Sequence, residues 1–151
     1  MTLNEVISLP PLQPARKVKL KDGLTGVVTM SRDFNNPDDE DRIYVSITIN
    51  GSEAGFALFG KNNVSDWDEE AIGSWSCMSL MVYPEFLRKG AATAMYDTMT
   101  KAGYKIIASG RYGGKLLPDG AKLWQSIQPS IRLGKPLPKP QRFWKVKRKT
   151  K

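Results

Sequence analysis

A chain of 151 residues with 40% hydrophobic and 25% charged residues has the composition of one globular domain, long enough to bury a core without staples. It holds no histidine and one cysteine, Cys77, which excludes a Ser-His-Asp or Cys-His nucleophile system, a Cys/His zinc site and an internal disulfide, and fits a reducing, cytoplasmic setting. The net charge of +8 belongs to the C-terminal end: nine Lys or Arg and no acid lie between Ile131 and Lys151, and without them 14 basic residues face 15 acidic ones.

No apolar run approaches the roughly 20 residues that span a bilayer. The opening MTLNEVISLPPLQP lacks the basic leader and apolar core of a secretory signal. Residues 1–16 are proline-rich and read as an extended arm, and residues 17–32 suggest one or two strands (VKL, GVVTM) around Asp22-Gly23. Asn35-Asn36-Pro37 followed by the acids Asp38 to Asp41 reads as a solvated loop. The clearest local signal is IYVSITI-NG-SEAGFALF, because Asn50-Gly51 is a preferred type I′ pair. A two-residue turn pairs Ile49 with Ser52, Ile47 with Ala54, Val45 with Phe56 and Ile43 with Leu58, and so places Ile43, Val45, Ile47, Ile49, Phe56 and Leu58 on one face.

Ser76 to Tyr83 reads as a further strand with Met78, Leu80 and Val82 on one face and Cys77 as a buried, inert thiol; Pro84 ends it. Leu87, Ala91, Met95, Thr98, Met99 and Ala102 then recur at helical spacing, and Gly103 supplies a stop, so the expected helix spans 87–102. Tyr104 to Ala108 is a short buried strand. After a Gly-rich loop, Asp119 is placed to cap a helix whose inner stripe is Leu123, Trp124 and Ile127. The fold class is α/β (α+β): a mixed, mostly antiparallel twisted sheet with a central βαβ unit and flanking helices. The body covers 17–130, and the tail 131–151 is basic.

The βαβ unit also marks a site. Ligands of such sheets collect at the carboxyl ends of strands, and a helix N-terminus attracts anions. Arg88 and Lys89 add charge there, Gly90 permits close approach, and Ala91 and Ala92 leave room. A phosphate site and a basic turn merely tolerated on the surface weigh about equally. GRYGGK at Gly110–Lys115 has the wrong spacing for a P-loop.

The stretch MSLMVYPEFLRKGAATAMYDTMTKAGYKIIAS resembles the central motif of the GNAT family of N-acetyltransferases, in which a strand ends in a V-x-P-like turn followed by Q/R-x-x-G-x-G/A and a helix. The motif falls on Leu87, Arg88, Lys89, Gly90, Ala91 and Ala92. The NG hairpin is similar to the family's second and third strands, and LLPDGAKLWQSI to a segment of small phage- or plasmid-encoded members. The resemblance implies acetyl-coenzyme A as cofactor, its pyrophosphate on the amides of Arg88 to Ala92 and its pantetheine arm along the strand edge at Leu80 and Val82. It implies acetyl transfer to an amine of an acceptor the sequence does not identify, without metal, in the cytoplasm (of a bacterial host if phage-encoded).

Three departures qualify this. Leu87 stands where the family has Gln or Arg. The helix after the fifth strand offers Leu123 and Trp124 rather than the family's tyrosine acid, which leaves Tyr112 as substitute donor and Glu70, Glu69 or a water near Ser79 as base. Ser31 to Asp41 is too short for the family's two front helices, so the fold is truncated there. The alternative is a binding protein on this scaffold without catalysis, contacting a host factor or nucleic acid. In the tail, RFWKVKRK reads either as an edge strand docked through Trp144 and Val146, or as a basic patch with Phe143 and Trp144 stacking on bases; the combined reading docks Trp144 and leaves the lysines to an acidic partner.

Overall fold

Five antiparallel strands lie in sequential order: β1 (Arg16–Lys19), β2 (Thr25–Arg32), β3 (Arg42–Ile49), β4 (Ser52–Lys61) and β5 (Trp75–Val82). Among the described residues two α-helices accompany them, α1 (Ala91–Lys101) and α2 (Pro118–Gln125). The computed structural model describes residues 11–33, 35–63, 72–108, 118–132, 135, 137 and 142–146. The fold is thus mixed α+β, and among the described residues no helix is long and apolar enough to cross a membrane.

The β3–β4 turn forms on the expected pair, with Asn50 at φ 53° and Gly51 at φ 79°, both positive as a type I′ turn requires. The expected register holds only at the turn. Ile49 faces Ser52 and Thr48 faces Glu53, but Ile47 faces Gly55, Val45 faces Ala57 and Ile43 faces Phe59. Ala54 is the extra residue of a bulge, and one extra residue exchanges the two faces of everything beyond it. Ala57 and Phe59 therefore enter the core with Ile43, Val45, Ile47 and Ile49, whereas Phe56 and Leu58 move to the opposite face. There Phe56 stacks on Tyr44 with ring centroids 5.7 Å apart.

A second irregularity corrects β5. Leu58 pairs with Ser79 and Phe59 with Cys77, which leaves Met78 unmatched. Trp75, Cys77, Leu80 and Val82 pack towards the core, and Met78 does not share their face. The expected strand 104–108 is reduced to one parallel bridge, Trp75 with Ile106. The Trp75 N–H donates to the Lys105 carbonyl at 2.8 Å, and the Ile107 N–H to the Trp75 carbonyl at 2.9 Å.

α1 begins four residues later than its apolar spacing suggests. Pro84–Phe86 is a single 3-10 turn, and Arg88 (φ 62°) and Gly90 (φ 94°) are left-handed, a conformation no right-handed helix contains. Leu87 lies outside the helix and is half-exposed. Gly103 (φ 99°) ends α1 as expected. Ala91, Met95 and Met99 face the sheet core. Tyr96 joins Phe59, Trp124 and Trp144 in an aromatic cluster with centroid separations of 4.8 to 5.9 Å. Asp119 sits inside α2, which starts at Pro118, rather than capping it.

Trp144 is 4% exposed. Its backbone N–H donates to the Ile106 carbonyl at 2.7 Å, and its indole N–H to Asp97 Oδ1 at 2.7 Å. A side chain so enclosed offers no face to a nucleic-acid base, which corrects the stacking reading for Trp144; the Phe143 ring is partly exposed and has the Lys105 ammonium 5.6 Å from its centroid.

Candidate functional site

The turn between β5 and α1 carries the expected anion-binding residues. It starts where the Tyr83 N–H meets the Ala54 carbonyl at 2.9 Å, and it finishes against the β1–β2 connection, where the Lys21 N–H donates to the Lys89 carbonyl at 3.0 Å. A polypeptide that turns into a helix here leaves the first-turn amides, Gly90 to Thr93, without intrahelical acceptors. Gly90, the N-cap, is open: a Cβ built on it would approach nothing closer than Leu20 Cδ2, at 3.9 Å. Arg88 is exposed and held at positive φ, a strained conformation for a side chain of its size. Lys89 forms an ion pair with Asp22, and this ammonium holds the Asp22 carboxyl below its ordinary range.

A cavity of about 830 Å³ opens from this turn. One wall is β1 with its continuation, bringing Arg16, Lys17, Lys19 and Lys21. Its floor follows the outward stripe of α1, from Lys89 and Gly90 through Thr93, Ala94 and Asp97 to Lys101. The far wall is α2 and the C-terminal segment, with Lys122, Leu123, Ile127 and Lys145. Eight Lys or Arg residues line it against one carboxylate, Asp97, which already accepts the Trp144 indole hydrogen bond. Lys17 and Lys19 contribute backbone, since they pair with Val27 and Thr25 on the sheet face opposite Val18, and Lys89 is paired with Asp22; Arg16, Lys21, Lys101, Lys122 and Lys145 are the remaining cations.

The expected cofactor residues fall into two groups. Leu87 to Ala92 form the turn and the start of α1, with Ala91 buried beneath it. Leu80 and Val82 lie on β5, their side chains packed on the core and their backbones on the outer strand of the five. Beyond Trp75, the outer edge of β5 has no strand partner among the described residues. Tyr112, Glu69 and Glu70 lie outside the described residues. The sulfur of Cys77 is no nucleophile: burial pushes its thiol up to about 11, although the Tyr96 hydroxyl bonds to it. Among the described residues no group of three His, Cys, Asp or Glu is placed to hold a metal.

Reasoning along the chain missed the cavity lysines. The run RKVKLK at 16–21 and Lys145 in the tail are visible as basic stretches, but Lys101 and Lys122 are single residues far apart along the sequence, and nothing in it says that these charges meet. No family model, curated protein or solved structure matches the chain.

Proposed function

We propose that the chain is an acetyl-coenzyme A-dependent N-acetyltransferase of the GNAT type, acting on an amine. The observation that carries this reading is the outer edge of β5: among the described residues a parallel segment is tied to it at Trp75 alone and its remaining length has no strand partner, and the chain runs from it straight into a turn whose amides have no intrahelical acceptors. The residues present fit such a cofactor. The amides from Arg88 to Ala92, the open Gly90 and the cations of Arg88 and Lys89 suit a pyrophosphate, and the backbone of Leu80 and Val82 suits an amide-bearing arm. The coenzyme supplies an acetyl thioester. The protein must then take a proton from the amine and give one to the departing thiolate, and Glu70 and Tyr112 are the assigned groups.

Strain at Arg88 supports the same site. A non-glycine residue held left-handed costs of the order of 1–2 kcal/mol, and such outliers gather where a backbone is shaped for a ligand.

The test is calorimetric titration of the full chain with acetyl-coenzyme A, followed by a thiol-release assay over a panel of amines. Saturable binding that Gly90→Glu abolishes is expected, because a carboxylate would stand where the pyrophosphate lies. Absence of binding in the parent protein sinks the reading. Binding without turnover on any amine would transfer the protein to a second reading, a non-catalytic binding module. That reading is favoured by the cation-lined cavity, which transfer to a small amine does not require.

A further inference from the structure

We infer that the cavity over α1 is a track for the phosphates of a single nucleic-acid strand, bound without regard to base sequence. This goes beyond acetyl transfer and holds without it.

Two ordinary reasons exist for lysines in these places. Lysines along an outer strand discourage edge-to-edge pairing, which accounts for Lys17 and Lys19 on β1. A lysine in the last turn of a helix complements its dipole, which accounts for Lys101. Neither reason brings β1, α1, α2 and the 142–146 segment to one concavity lined by Arg16, Lys21, Lys101, Lys122 and Lys145 against the Asp97 carboxylate. Like charges within a Debye length, about 8–10 Å, repel, and a concave wall concentrates their field. The arrangement is relieved by a bound polyanion.

Shape and side-chain choice select the kind of polyanion. The 11 residues of α1 run about 16 Å, so charges at Lys89 and Lys101 sit several phosphates apart on one strand. All the lining cations but Arg16 are lysine, a flexible point charge that binds phosphate oxygens without demanding a fixed geometry, as sequence-independent backbone binding requires. Leu123 and Ile127, both partly exposed, lie between the cations and present apolar surface to sugars. With Trp144 buried, affinity rests on phosphates more than on stacked bases.

The experiment is fluorescence anisotropy of a fluorescein-labelled oligothymidylate of about 20 nucleotides with the full-length protein. Binding should weaken about 100-fold between 50 and 200 mM salt, as about five phosphate contacts on a single strand require. Lys101→Glu/Lys122→Glu should bind at least tenfold more weakly with a shallower salt slope, and Arg16→Gln/Lys21→Glu from the opposite wall should do the same. Circular dichroism reports whether each remains folded, and two walls guard against the failure of one variant. Parent-like affinity in both folded variants overturns the proposal. So does loss of binding only when residues 147–151 are deleted, which assigns the contact to the tail. Displacement by poly-glutamate as effective as by unlabelled oligothymidylate also overturns it, in favour of an acidic peptide. Complete displacement by acetyl-coenzyme A, together with an equal loss of acetyl-coenzyme A affinity in Lys101→Glu/Lys122→Glu, would make the whole cavity a coenzyme site and end the inference. Failure of Gly90→Glu to affect acetyl-coenzyme A touches only the transferase reading.

Discussion

The two sides of α1 are built by different rules. The inward side carries Ala91, Met95, Tyr96 and Met99, all at most 3% exposed, and each is there because the helix needs an apolar stripe to dock on the sheet. The outward side carries Gly90, Thr93, Asp97 and Lys101, and it is walled by elements from both ends of the chain. Packing explains the first side completely. The second gathers like charge at some cost in repulsion, which makes it the side to question about function.

Trp144 tests the comparison most severely, because it belongs to both sides: its ring packs on Tyr96 and Trp124, and its indole lies at the cavity wall. Trp144→Ala should lower unfolding free energy by about 3–5 kcal/mol in urea titration. A loss below about 1 kcal/mol would show that the C-terminal segment is not part of the core and that the cavity lacks its far wall.

The inward side also makes stability depend on alkaline pH. Burial raises the Cys77 thiol from 9.0 to about 11, so its protonated form is favoured by folding. That contribution is fully present below about pH 9 and is lost as pH rises towards about 11. It amounts to no more than about 3 kcal/mol, and Cys77→Ala should flatten this part of the stability profile. An unchanged profile in that variant would mean that the thiol is solvated after all.

At the turn where the two sides meet, relief of strain should oppose function. Arg88→Gly should raise stability by about 1 kcal/mol, since glycine adopts positive φ without penalty. The same change should weaken acetyl-coenzyme A binding several-fold, as calorimetry would show. Stabilisation with unaltered affinity would mean that Arg88 serves neither reading.

The smallest effect belongs to the outward side. Lys101→Gln should change stability by less than about 0.5 kcal/mol, because an exposed cation at a helix end contributes little. Thermal unfolding checks this. A large loss would show that Lys101 is structural and would remove it from the cavity argument.

Several features were legible from neighbouring residues alone. Asn50-Gly51 determined a turn, because that pair reaches positive φ at both positions at low cost, and Gly103 determined the end of α1 for the same reason. The alternation in β3 determined its buried face, and the basic turn before α1 was visible as a cluster. Local pattern could not choose between Phe56/Leu58 and Ala57/Phe59, since both alternating sets are apolar. Only pairing with β3 and β5, with Ala54 inserted as a bulge, sent Phe59 inward to meet Tyr96. The start of α1 was equally undecidable, because Leu87 falls in phase with Ala91 and Met95 by coincidence, while the left-handed backbone of Arg88 leaves no mark on hydrophobic spacing. The cavity lay furthest from the reach of sequence. Its cations come from positions 16 to 145, and a field is summed over space rather than along a chain, so tertiary packing alone decided that these charges face one another.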